Sequence, residues 1–65
     1  MTVTLNGRPL ETAAATLAAL LEEQGYAERK VATAVNGDFV RAALRGETRL
    51  SEGDAVDVLV PMQGG

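Results

Sequence analysis

The sequence has no cysteine, histidine or tryptophan among its 65 residues, and its only aromatic residues are Tyr26 and Phe39. Without cysteine there is no disulfide and no thiol nucleophile, and without histidine there is no imidazole base. The usual side chains of zinc and other transition-metal sites are therefore missing. Because a domain of this length buries only about 60% of its unfolded surface, the core must be held by aliphatic packing. We do not expect a self-sufficient enzyme.

The charge balance and the hydrophobic pattern argue against a nucleic-acid-binding protein and against a membrane protein. The formal net charge is -3, whereas nucleic-acid binding requires clustered lysine and arginine. No apolar run reaches the length of a membrane span, and the first residues do not have a signal-peptide pattern. We therefore expect a cytoplasmic protein without a nucleic-acid or membrane partner. Arg41 and Arg45 are expected to be solvated surface charges, with pairing to acidic residues of a partner as the alternative.

The first strand-like segment, residues 2–5, alternates polar and apolar residues as a half-buried strand does. Asn6-Gly7 follows it and suits a type I′ hairpin turn, in which both central residues have positive φ. Residues 8–12 then form the second strand, with Leu5 opposite Arg8. The proline in this strand is tolerated best at the edge of a sheet.

A single amphipathic helix is predicted between Thr16 and Gly25. Leu17, Leu20 and Leu21 lie at i, i+3 and i+4, which places them on one helical face. Thr16 is a suitable N-cap, and Gly25 suits the position that follows the helix end.

A second hairpin is predicted around Asn36-Gly37, another type I′ signal. It joins residues 31–35 to residues 38–40 and places Val35 opposite Asp38. The next connection, residues 41–47, is less regular and includes one helical turn.

Residues 48–50 form an extended segment, and residues 55–60 form the last strand. Alternation in this strand places the valines on one face and Asp57 and Leu59 on the other.

This order predicts an α+β domain with a mixed four- to five-stranded sheet and one main helix packed on one face. The domain covers residues 1–61, and residues 62–65 form a flexible C-terminal tail. The predicted core consists of Val3, Leu5, Leu17, Leu20, Leu21, Leu50, Val56 and Val58.

The tail ends in Gly64-Gly65, a pair that has wide conformational freedom and no side chain. Such an arm can enter a narrow channel and present a free carboxylate, although a frayed terminus is the ordinary fate of a chain end. Leu59, Met62 and Gln63 lie beside this arm and are predicted to bind a partner, with ordinary surface exposure as the alternative.

Four stretches in this order and spacing resemble the ThiS family of ubiquitin-like, β-grasp sulfur carrier proteins. They are Leu5-Asn6-Gly7, Thr16-Leu17-Ala18-Ala19-Leu20-Leu21, Ala32-Thr33-Ala34-Val35-Asn36-Gly37-Asp38-Phe39-Val40, and Gly53-Asp54-Ala55-Val56-Asp57-Val58 leading to Gly64-Gly65. The resemblance covers essentially the whole chain. One departure is Ala42 after Arg41, where many members of the family have a proline nearby.

The resemblance implies that the chain is a carrier and co-substrate with no cofactor of its own. An adenylating, E1-like partner would use ATP and Mg²⁺ to activate the carboxylate of Gly65, and Gly64 would let the tail reach that site. A sulfur-donor system would then convert the carboxylate to a thiocarboxylate. A thiazole synthase would receive this sulfur for thiamine biosynthesis.

Other functions fit the same ending. The chain is alternatively a sulfur carrier for molybdopterin, for tRNA thiolation or for another sulfur metabolite. A ubiquitin-like modifier, joined to lysine amines of other proteins, would need the same activation. A plain interaction module would need none.

Overall fold

A computed structural model describes residues 1–61 of the protein. Within these residues, five strands form one sheet, accompanied by one α-helix and one 3₁₀ helix. The elements are β1 (Thr2–Leu5), β2 (Arg8–Glu11), α1 (Leu17–Glu23), β3 (Ala32–Val35), β4 (Asp38–Val40), the 3₁₀ helix (Ala42–Glu47) and β5 (Ala55–Leu59). The sheet order is β2-β1-β5-β3-β4. β1 and β5 are parallel and the other pairs are antiparallel, which confirms the predicted mixed sheet with one main helix.

Both hairpins have the register that their Asn-Gly turns predict. Leu5 pairs with Arg8 in the first hairpin, and Val35 pairs with Asp38 in the second. The φ angles of Asn6 and Asn36 are 51° and 52°, as a type I′ turn requires. β2 lies at one edge of the sheet, so its proline is accommodated where it was expected.

The helix begins and ends at the residues that the sequence indicates. The Oγ1 of Thr16 accepts a hydrogen bond from the Ala19 N–H at 3.2 Å, and Gly25 has a φ of 86°. The N–H of Leu17 also donates to the carbonyl of Thr48 at 2.9 Å. This bond ties the first turn of α1 to the segment that follows the 3₁₀ helix.

The core lies between α1 and one face of the sheet. Seven of the eight predicted core residues are buried, and Leu5 is half-buried against them. The prediction missed Ala14 and Val40, which are also buried. The predicted last strand was one residue too long, since β5 ends at Leu59 and Val60 is 44% exposed. No helix within residues 1–61 is long and apolar enough to cross a membrane.

Candidate functional site

β5 is the central strand of the sheet, and the predicted tail follows it. Its ladder with β1 contains only the pairs Thr4–Ala55 and Leu5–Val56. Beyond this ladder, the amide side chain of Asn6, rather than a strand backbone, forms the hydrogen bonds to β5. Its Nδ2 donates to the carbonyl of Val58 at 3.1 Å, and the Val58 N–H donates to its Oδ1 at 2.8 Å. The side chain thus bonds both backbone polar groups of a residue near the end of β5.

Asn36 makes a similar contact at the beginning of β5. Its Oδ1 accepts from the Ala55 N–H at 2.9 Å, and its Nδ2 donates to the carboxylate of Asp54 at 3.0 Å. The backbone N–H of Asn36 also donates to the Ala55 carbonyl at 2.7 Å. The two turn asparagines therefore hold β5 from both sides, one near each end.

The sheet face away from α1, which we call the open face, carries a shallow apolar depression. Strand alternation places Ala32, Ala34, Phe39, Asp57 and Leu59 on this face, because their neighbours Thr33, Val40, Val56 and Val58 point into the core. Phe39 is 71% exposed and Leu59 is 68% exposed. The small side chains of the two alanines lie between these large ones, and this difference in size forms the depression.

The size of the depression indicates what it can hold. Its volume is about 70 Å³, whereas small-molecule sites usually measure roughly 300–1,000 Å³. A depression of this size suits one apolar side chain of another protein better than a metabolite. Phe39 was not among the predicted partner-binding residues. The signal was present in the register, since pairing with Ala34 puts Phe39 on the face opposite to Val40.

Arg45 differs from the solvated charge that the sequence suggested. Its Nη2 donates to the carbonyl of Val31 at 2.6 Å, and its Nε donates to the Oγ1 of Thr33 at 3.1 Å. The hydroxyl of Thr33, which is buried, in turn donates to the carbonyl of Val40 at 2.7 Å. Arg45 is thus a structural link between the 3₁₀ helix and the second hairpin. Sequence spacing gave no sign of it.

The structure places one of the predicted site residues. Leu59 lies on the open face at the end of β5, and the exposed residues Val60 and Pro61 follow it. Met62, Gln63, Gly64 and Gly65 lie outside the described residues, so the predicted tail and its carboxylate remain predictions.

In residues 1–61, one α-helix is packed on a five-stranded mixed sheet in the order β2-β1-β5-β3-β4, which is the arrangement of a β-grasp, ubiquitin-like domain. Two solved structures with this fold are similar to the chain over its full length. A crystal structure of thiamine biosynthesis protein ThiS from Geobacter metallireducens is 30% identical, with a TM-score of 0.83 and complete coverage of both chains. A solution structure of a thiamine biosynthesis protein from the same organism is also 30% identical, with a TM-score of 0.80, and the match covers 88% of that chain.

The sequence also matches the model of a protein family, and this match assigns the chain to that family. The model of the ThiS family matches residues 3–65, which include the final Gly64-Gly65. The chain therefore belongs to the ThiS family. No curated protein matches it significantly.

Proposed function

We propose that this protein is a sulfur carrier for thiamine biosynthesis and that it carries sulfur on the carboxyl group of Gly65. The main support is the family match, because it extends through residue 65 and so includes the diglycine. The two similar solved structures are both described as thiamine biosynthesis proteins. The absence of cysteine agrees with a carrier that holds sulfur on a group other than a thiol.

The proposed chemistry starts with a poor electrophile. A carboxylate resists attack, so a partner enzyme must first join an oxygen of Gly65 to the α-phosphorus of ATP, with release of pyrophosphate. Mg²⁺ in the partner would neutralise the phosphate charge in this step. A sulfide-level sulfur from the donor system then attacks the acyl carbon, and AMP leaves with the carboxylate oxygen. The product is a thiocarboxylate, and a thiazole synthase accepts its sulfur.

Glycine suits the reacting position. Without a Cβ, Gly65 presents an acyl carbon that no side chain obstructs, and Gly64 gives the backbone access to a narrow channel. The body of the domain contributes a firm base for this arm. The two asparagine contacts hold β5 at Ala55 and Val58, only a few residues before the tail.

The open face supplies a candidate surface for the adenylating enzyme or the thiazole synthase. Leu59 and Phe39 are both about 70% exposed, and large apolar side chains grouped on a surface are typical of protein interfaces. An apolar side chain of the partner would fill the depression between them. This contact would bring the end of β5, and with it the tail, to the partner.

The experiment that tests the function is the intact mass of the native protein, isolated from its own cells and from cells that lack the adenylating enzyme. We expect a form in which sulfur replaces one oxygen at Gly65, and we expect it only where the enzyme is present. The matched variant lacks Gly64 and Gly65. It should retain the far-ultraviolet circular dichroism of the full chain and gain no sulfur.

Several outcomes would contradict the proposal. A native protein that stays unmodified, even with ATP, the enzyme and a sulfur source, would exclude the carrier function. Adducts joined through Gly65 to lysine amines would instead identify a protein modifier. A shortened chain that still supports thiazole formation would show that the tail has no chemical role.

A further inference from the structure

One end of the sheet, which we call the tail end, is where β5 ends, β3 begins and β4 ends. The register fixes this arrangement, since Leu59 pairs with Ala32 and Thr33 pairs with Val40. The residues just outside these pairs on the three neighbouring strands therefore lie close together. They are the residues that precede β3, the residue that follows β4, and Val60 and Pro61, which follow β5.

Basic residues are concentrated at the tail end. Lys30 lies two residues before β3, and Arg41 directly follows β4; both are exposed. The guanidinium of Arg45 is held at the same end by its bond to the Val31 carbonyl. Arg8 follows the first hairpin turn, which contacts the same half of β5.

Acidic residues are concentrated at the opposite end of the sheet. The side chains of Glu11 and Glu52 both accept hydrogen bonds from Thr2, at the beginning of β1. Asp54 immediately precedes β5, and Asp38 begins β4 beside the Asn36 turn. Because β1 and β5 are parallel, the beginnings of both strands lie at this same end.

Three acidic residues lie near the basic group: Glu28 and Glu47 are each two residues from one of its members in sequence, and Asp57 is in β5, paired with Ala34. Asp57 lies on the open face, and Glu28 adjoins Arg29, whose guanidinium lies 5.8 Å from the centre of the Tyr26 ring. With Arg8 and Arg29 counted beside Lys30, Arg41 and Arg45, five basic residues of the described part of the chain stand against these three acids, so the region stays positive. The protein is therefore polarised, with an acidic end and a basic tail end, although its formal net charge is -3.

We propose that Lys30, Arg41 and Arg45 dock the carrier on an acidic protein surface around the entrance of the channel that receives the tail. This inference rests on the proposed function, because it identifies the partner surface for the same tail. Complementary charges mainly accelerate encounter and fix orientation. Here they would turn the tail end toward the partner and the acidic end away from it. A nucleic acid is the less suitable occupant, because the protein as a whole is negative.

The first test compares Arg41→Glu with Arg49→Glu in binding to the adenylating enzyme of the source organism. Both arginines are exposed, and the two substitutions change the net charge by the same amount because each replaces arginine by glutamate. Arg49 forms a backbone bridge with Thr16, just before α1, and belongs to none of the strands that meet at the tail end. Each variant is first checked for unchanged circular dichroism and unfolding midpoint.

We expect Arg41→Glu to weaken association by on the order of tenfold at low salt, and Arg49→Glu by no more than about twofold. The difference should disappear near 1 M salt, where the screening length falls to about 3 Å. Equal effects of the two variants, or a difference that salt does not change, would overturn the inference. The proposed function is tested separately, by the intact mass of the native protein. A protein that gains no sulfur would refute that function whatever the two arginine variants show.

The second test does not depend on the enzyme. The full chain is titrated at low salt with a hexaglutamate peptide, and amide chemical shifts are followed by NMR. We expect the changes to cluster around residues 30, 41 and 45 and to be lost in Arg41→Glu but retained in Arg49→Glu. Scattered changes, or tighter binding of a single-stranded oligonucleotide of equal charge, would exclude an acidic protein surface as the preferred partner.

Discussion

Replacing Asn6 by glycine removes the amide that joins the first hairpin turn to β5. Glycine keeps the positive φ of 51° at this position without strain, so the turn itself should persist. What is lost is the pair of partly buried hydrogen bonds to the N–H and carbonyl of Val58. The variant therefore tests whether the side chain, rather than the turn conformation, holds the end of β5.

The magnitude follows from these two bonds. Each hydrogen bond contributes a net of about 1 kcal/mol, and the greater freedom of glycine in the unfolded chain adds up to about 1 kcal/mol. We expect Asn6→Gly to lower the free energy of unfolding by about 2–3 kcal/mol. This is a large part of the stability of a small domain, for which roughly 5 kcal/mol is the lower end of the usual range. The melting temperature should fall by about 10–20 °C.

Asn36→Gly is the matched control. Asn36 has the same backbone conformation and is also followed by glycine, so the unfolded-chain contribution cancels in the comparison. Its side-chain bonds to Ala55 and Asp54 are exposed, and water can replace them at little cost. We expect Asn6→Gly to be the more destabilising variant by about 1–2 kcal/mol.

Urea unfolding followed by circular dichroism gives both free energies, and amide hydrogen exchange reports on Val58 directly. Exchange at Val58 should become faster in Asn6→Gly than in Asn36→Gly. If Asn6→Gly is as stable as Asn36→Gly, or if Val58 keeps its protection, the Asn6 amide does not anchor β5 and our account of the site is wrong.

Two further predictions concern Thr33 and Leu59. Thr33→Val keeps the side-chain shape but leaves Arg45 and the Val40 carbonyl without their buried partner, so the free energy of unfolding should fall by about 1–3 kcal/mol in urea titrations; a change below about 0.5 kcal/mol would contradict this role. Leu59→Ala should weaken binding to the adenylating enzyme about tenfold. Leu44→Ala, which truncates a leucine 41% exposed on the 3₁₀ helix, should bind the enzyme normally. An equal loss of affinity in the two variants would exclude the open face as the binding surface.

Elements that depend on neighbouring residues could be predicted from the sequence. Each Asn-Gly pair fixed a turn type, and a two-residue turn fixes which residues face each other. Thr16 and Gly25 marked the helix ends because capping involves only the adjacent turn. The bounds and register of β4 were predicted correctly, but three residues give little periodicity, and the burial of Val40 was missed.

The order and spacing of these local signals also carried the family resemblance, which the ThiS family match over residues 3–65 confirms. The chemical proposal for Gly65 depends on that resemblance. The location of Leu59 on the open face was likewise predictable, because alternation in β5 opposes it to Val56 and Val58.

By itself, the sequence determined the turns, the hairpin registers, the helix and its apolar face, because each depends on contacts between residues near one another in the chain. Tertiary structure alone decided that the Asn6 amide bonds Val58, 52 residues away, that Arg45 joins Val31 to Thr33, and that basic and acidic residues collect at opposite ends of the sheet. Long-range contacts of this kind follow from strand order, which brings distant residues together only after the whole chain has folded.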